Sequence, residues 1–330
     1  MSEILITGGA GLQGSRLAAR LLAEGHSVTL ADNFSRGSQA NINELRNNYP
    51  KGLKVVKTDL RLIGECVYYT KGVEAVFHLA AHLGGVEYAH GSKDMPSHGS
   101  AMASDNLLMD TNMIKAAVQN NVSSYLYPST ACIYPVQLQK SPDSPPLRED
   151  QAIPAEPESP YGWAKLMGER LSIQYAKESG IHVAICRLFN IYGEGEDSQP
   201  GSHVVPELMR KALNYPQEPF VVYGDGSATR AFTYVDDAVE GLLRALKSYA
   251  CADPINIGSD KPVSICHLAE LIIAESGKPI RIEYDESKPV GVMGRCADIS
   301  KARDKLGWEP RVPLEEGLKR TWSWYVKHHA

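Results

Sequence analysis

The chain is 330 residues long, 43% apolar and 22% charged, and its 34 Lys and Arg against 39 Asp and Glu leave a net charge of −5. That length suits one large or two coupled domains, and the composition excludes a disordered or collagen-like chain. The slightly acidic balance gives no general surface for nucleic acid or an anionic membrane, so an anionic ligand must be held by a few placed cations.

The first half alternates short β-branched or aromatic runs with helical periods. Glu3–Thr7 reads as a strand and Leu12–Glu24 as a helix, followed by a strand at Ser27–Ala31 that ends at Asp32. Further strands are predicted at Leu53–Lys57, Ala75–Ala80, Ser124–Ser129 and His182–Leu188, with helices at Leu107–Asn120 and Tyr161–Ser179. Such alternation predicts an α/β fold, a doubly wound parallel sheet with helices on both faces. Ligands of such sheets sit beyond the carboxyl ends of the strands, so the residues after each strand carry the chemistry.

The proline-rich, acidic stretch Gln137–Pro160 reads as a surface loop, and Gly193–Gly201 as the exit from the first domain. Later elements are predicted at Phe220–Tyr223, Tyr234–Leu246, Ile255–Ile257, Ser264–Ser276, Arg281–Tyr284 and Leu314–Val326. The expected division is a nucleotide-binding domain over 1–190 and a smaller α/β substrate domain over 191–330, with 231–258 returning to the first.

Gly8-Gly9-Ala10-Gly11-Leu12-Gln13-Gly14 closes a predicted strand and opens a helix, satisfying both GxxGxxG and GxGxxG. Glycines there let the backbone approach a pyrophosphate, and the helix N-terminus supplies N–H donors. Asp32 follows Gly14 by 18 residues at the end of the next strand. A carboxylate in that place accepts from ribose hydroxyls and repels a 2′-phosphate, which makes this a Rossmann domain for NAD rather than NADP. Asn33 and Arg36 follow in the same loop, and Arg36 is the residue that would instead accommodate a phosphate. Asp59 and Leu60 after the third strand, and Leu79, Ala80 and Ala81 after the fourth, fall at further cofactor positions.

Tyr161-Gly162-Trp163-Ala164-Lys165 is YxxxK, which puts phenol and ammonium one helical turn apart on one face. A lysine cation beside a tyrosine favours the phenolate, making Tyr161 a base or acid near neutral pH. Ser129 and Thr130 at a strand end add hydroxyls for a reacting oxygen.

With these motifs in order, the chain resembles an extended short-chain dehydrogenase/reductase of the nucleotide-sugar epimerase and dehydratase group. The resemblance runs through TGGAGLQG, HLAA, PSTACIYP, SPYGWAK, CRLFNIYG, TRAFTYVDD, PINIGS and KLGWEP. It implies bound NAD, a nucleotide-sugar substrate and Thr130, Tyr161 and Lys165 as a triad that moves a hydride from sugar C4. It also implies Asn190 and Arg230 as contacts to the substrate phosphates, with Arg295 and Asp298 in a later substrate-binding stretch.

Ala131-Cys132 stands where dehydratases of the group carry an acid pair, which argues against dehydration. STACIYP, with Leu83-Gly84-Gly85-Val86 and Pro154-Ala155-Glu156-Pro157, resembles the GDP-mannose 3,5-epimerases, in which such a Cys is the base for ring protons. That family's acid is a lysine beyond the NIYG turn, and this chain has no Lys from 178 to 210. Ser202-His203-Val204-Val205-Pro206 resembles instead the SHVxP segment of the GDP-fucose synthases, so Cys132 and His203 together suggest a base–acid couple. Their bland alternatives are a packing thiol and a loop histidine.

His78, His82, His90 and His98 lack carboxylate spacing for a metal, and Trp308, Trp322 and Trp324 read as core. The six cysteines form no CxxC or zinc spacing, and MSEILITGGAG runs straight into a strand, so a cytoplasmic protein with reduced thiols is expected. The resemblance further implies a homodimer through Leu107–Asn120 and Tyr161–Ser179. Competing functions are a UDP-sugar 4-epimerase, a 4-keto-sugar epimerase/reductase and a non-catalytic NAD-sensing scaffold.

Overall fold

The computed structural model describes residues 2–196, 198, 199 and 201–329. Six strands follow in chain order: β1 (Glu3–Thr7), β2 (Ser27–Asp32), β3 (Leu53–Lys57), β4 (Ala75–His78), β5 (Ser124–Thr130) and β6 (His182–Leu188). Together with Ile255–Ile257 they make one seven-stranded sheet in the order Ile255–Ile257, β6, β5, β4, β1, β2, β3. Every pair in it is parallel. Ile4, Leu5 and Ile6 are all buried, as runs covered by helices on both faces must be. The strand order reverses between β1 and β4, which opens a crevice above their carboxyl ends.

The first six helices are α1 (Leu12–Ala23), α2 (Gln39–Asn48), α3 (Ile63–Tyr69), α4 (Val86–His90), α5 (Gly99–Gln119) and α6 (Pro160–Ser179). The start of α6 follows from Ser159, whose hydroxyl accepts from Gly162 N–H, and from Pro160 in the first turn. Gly180 ends it at φ +76°, in the left-handed region.

Helix α5 begins eight residues before the expected Leu107, because its inward stripe is Met102, Asn106, Met109, Asp110 and Met113. Polar members of that stripe hide its period. Asn106, for example, donates to the carbonyls of His82 and Met102. Leu107 and Leu108, outside that stripe, are exposed.

Strand β4 stops at His78 rather than Ala80. There Thr7 captures the next two amides, its carbonyl accepting from Leu79 N–H and its hydroxyl from Ala80 N–H, both at 3.1 Å. The segment 137–160 is not a free surface loop. Leu147 and Gln139 are buried, and Leu147 exchanges backbone bonds with Cys296 and Asp298.

The remaining chain builds a smaller layer beside the sheet. Thr229–Ala231 pairs with Pro262–Ser264 and Gly294–Arg295, and Phe220–Tyr223 pairs with Ile282–Asp285. Helix α7 (Val204–Asn214) packs against Phe220–Tyr223, while α8 (Val235–Ser248) packs beside α1. Trp308 is core, and no helix among the described residues is long and apolar enough to cross a membrane.

Candidate active site

A cleft of about 1260 Å³ runs from the crevice of the sheet to the smaller layer. Its nucleotide end is lined by Gly8, Gly11, Leu12, Gln13 and Gly14. Helix α1 starts at Gly11 with no side-chain cap, leaving its first N–H groups for an anion. A Cβ on Gly14 would stand 2.3 Å from the Gly8 carbonyl, so only glycine permits this turn.

The Asp32 carboxylate accepts from Ala10 N–H at 2.9 Å and Phe34 N–H at 2.8 Å, which fixes it at the rim of the glycine turn. Asn33, Leu60, Leu79, Ala80 and Ala81 line the same end. Arg36 also lines it, but its guanidinium lies over the Tyr88 ring, 4.8 Å from the centroid. Asp59 departs from expectation: Arg61 draws its carboxylate to 2.6 Å, and it is not part of the cleft wall. Asp298 likewise lies outside the cleft and caps Ser300 N–H.

Thr130, Cys132, Tyr161 and Lys165 meet in the middle of the cleft. The Thr130 hydroxyl accepts from Cys132 N–H at 3.2 Å and stands beside Tyr161. Lys165, expected from the spacing to act on Tyr161, has Asp110 as its ion-pair partner. Its ammonium faces Asp110 at 3.3 Å and lies over the Tyr127 ring, 4.1 Å from the centroid. Asp110 also accepts from Tyr127 at 2.6 Å and pairs with His78 Nε2 at 3.1 Å. Burial therefore drives the Tyr161 phenol well above its ordinary pKa, and Cys132 and Asp110 push the same way.

Cys132 lies in a short turn, Ala131–Ile133, and its Sγ accepts from Arg295 Nη1 at 3.3 Å. Burial pushes the thiol up, the Arg295 charge pulls it back and Glu158 pushes it up again, leaving it raised. Arg295 is buried between Cys132, Gln139, which accepts from Nε at 2.7 Å, and Glu158, paired with Nη2 at 3.0 Å. Arg230 donates to the carbonyls of Thr229, Val290 and Val292; burial and the Arg295 charge lower its pKa to about 10.

His203 precedes α7, its side chain 45% exposed and its Nδ1 paired with Glu196. Partial burial opposes its protonation, but the Glu196 carboxylate more than offsets this and raises its pKa. Gly85 N–H donates to Gly201 at 2.7 Å, tying the Gly84–Gly85 turn to the loop before His203. Asn190, at φ +41°, donates to the Ala231 carbonyl, and with Ser129 and Val204 it lines the cleft. Thus Cys132 and His203 border one cleft, each with a charged partner of its own.

Residues 4–258 match the family of NAD dependent epimerases and dehydratases. The chain belongs to that family. A GDP-mannose 3,5-epimerase of Arabidopsis thaliana is 36% identical over 322 residues, 98% of this chain and 81% of that protein. The structure of a Thermotoga maritima UDP-glucose 4-epimerase with UDP-glucose matches with TM-score 0.86 and 27% identity, over 99% of this chain and 100% of that one. A UDP-glucuronic acid 4-epimerase from Bacillus cereus, with UDP-glucuronic acid and NAD, matches at TM-score 0.84, 27% identity and the same two shares.

This epimerase/dehydratase family member is an enzyme that uses NAD, and its residues fit that cofactor. The glycine turn leaves the close approach a pyrophosphate needs, and the buried oxygens Gln13 Oε1 and Ser129 Oγ have no hydrogen-bond partner among the described residues. Sequence reading missed Asp110, Gln139, Glu158 and Glu196. Only Glu158 carried a signal, as an acid beside the YxxxK helix. Asp110 and Gln139 meet Lys165 and Arg295 across 55 and 156 positions, and Glu196 meets His203 through a loop of seven.

Proposed function

We propose that the chain is an NAD-dependent nucleotide-sugar epimerase that oxidises sugar C4 transiently and exchanges protons at C3 and C5, with GDP-mannose as substrate. The observation that carries this reading is Cys132, a thiol against the Arg295 guanidinium in the cleft that also holds Thr130 and Tyr161. Similarity to a GDP-mannose 3,5-epimerase supports the choice of substrate.

NAD, which the Gly8–Gly14 turn and Asp32 would hold, would supply the hydride acceptor for C4 and the donor for its return. Tyr161 takes the O4 proton while Thr130 holds O4, and Lys165, one helical turn on, supplies the positive charge that favours the phenolate. The resulting C4 ketone acidifies the neighbouring C–H bonds. Cys132 as thiolate removes a ring proton, and the imidazolium of His203 delivers one to the opposite face. Arg230 contributes charge toward the diphosphate, and Asn190 is a further contact.

Exposed Leu107 and Leu108 on α5, with exposed Trp163 and Met167 on α6, support a homodimer through these helices. A second reading, simple inversion at C4, draws support from the Thr130–Tyr161–Lys165 set and from the two structures above. Product analysis by NMR after incubation with GDP-mannose separates them. Isomers inverted at C3, C5 or both are expected, whereas the C4 epimer as sole product would overturn the proposal.

A further inference from the structure

Glu158 immediately precedes the Ser159 cap of α6 and lines the cleft beside Thr130, Cys132 and Arg295. Its side chain is 13% exposed, and Oε1 pairs with Arg295 Nη2 at 3.0 Å. The other oxygen, Oε2, is buried with no hydrogen-bond partner among the described residues. A buried carboxylate oxygen left in that state is costly, and folded proteins keep one where a ligand or water completes it. Burial works against its ionisation, but Arg295, Arg230 and His90 outweigh that and hold Glu158 as the anion. Its free oxygen is therefore an acceptor only.

The cations around it do not present an open fork to the sugar. Arg295 donates from Nε to Gln139 and from Nη1 to Cys132, and its buried Nη2, which makes no hydrogen bond among the described residues, is ion-paired with Glu158. Arg230 spends both terminal nitrogens on backbone carbonyls. A neutral hexose offers hydroxyl donors to Oε2. A uronate brings a second carboxylate toward an anion whose neighbouring guanidinium is engaged.

We propose that Glu158 determines sugar specificity, its free oxygen accepting from a substrate hydroxyl and its charge disfavouring sugars that carry a carboxylate. The proposal rests on the nucleotide-sugar reading above. It adds that the substrate's sugar is neutral, and it holds whether C4 alone or C3 and C5 invert.

Calorimetry on the NAD-loaded protein tests this with two matched pairs, GDP-mannose against GDP-mannuronate and UDP-glucose against UDP-glucuronate. The wild type should bind the neutral member of whichever pair it accepts at least about tenfold more tightly, roughly one charge-assisted hydrogen bond. Glu158→Gln should shrink that ratio about tenfold, chiefly by gaining uronate affinity, because the amide can donate and Arg295 is released. Glu158→Asp, which keeps the charge, should still discriminate against the uronate. Equal or tighter uronate binding by the wild type overturns the proposal while leaving the epimerase reading intact, and needs no variant to fold. So does an unchanged ratio in a folded Glu158→Gln. Failure to bind any of the four overturns both readings.

Discussion

Replacing Arg295 by Met removes the one cation that touches the Cys132 sulfur, at 3.3 Å. A hydrogen bond to a charged group contributes about 1.5–3 kcal/mol, and one pKa unit corresponds to about 1.4 kcal/mol. Loss of Arg295 should therefore raise the Cys132 pKa by roughly 1–2 units, since the thiolate loses its donor. Glu158 would lose its counter-ion in the same change and would push the thiol further up. The assay is the rate of Cys132 alkylation against pH, read by peptide mass spectrometry so that exposed Cys251 does not interfere. The midpoint should rise in Arg295→Met, stay near wild type in Arg295→Lys and fall in Glu158→Gln. An unchanged or lower midpoint in a folded Arg295→Met would refute the electrostatic account of Cys132.

Three further outcomes concern the cofactor end, His203 and the exposed faces of α5 and α6. Asp32→Asn keeps an acceptor for Ala10 N–H but removes the charge. NAD affinity should fall about 10–100-fold and NADP should gain on it, as calorimetry would read; an unaltered preference would contradict the ribose assignment. In the proposed mechanism His203 acts as the imidazolium, so turnover should fall as pH rises through its raised pKa. Glu196→Gln should bring that fall to lower pH, and an alkaline limb that stays put would remove His203 as the acid. Leu108→Arg with Trp163→Arg charges two exposed apolar sites on α5 and α6. Light scattering should shift from dimer to monomer, and a wild-type monomer would end the dimer proposal.

The strands were legible because their apolar runs are local: β1, β3 and β6 lie where Glu3–Thr7, Leu53–Lys57 and His182–Leu188 were read. The glycine turn was legible for the same reason, since Gly8, Gly11 and Gly14 act through backbone geometry within seven residues. Helix α5 was misjudged at its start because Asn106 and Asp110, polar by type, face inward and find partners on other elements, His82 and Tyr127. The YxxxK spacing placed Tyr161 and Lys165 correctly in the cleft but could not reveal Asp110, which captures the lysine across 55 positions. Cys132 was visible as a residue, whereas the charges that set its basicity arrive from Arg295 and Glu158 through the folded segment 137–160.

The central claim is that Cys132 moves a carbon-bound proton between the sugar ring and water. Its most direct test is mass and NMR analysis of GDP-mannose after incubation in deuterium oxide with the NAD-loaded wild type and with Cys132→Ser. The account predicts deuterium at C3, C5 or both with the wild type, and almost none with Cys132→Ser, because an alcohol is a far weaker base than a thiolate. Turnover of GDP-mannose with no carbon-bound deuterium, or labelling by Cys132→Ser at the wild-type rate, would contradict it.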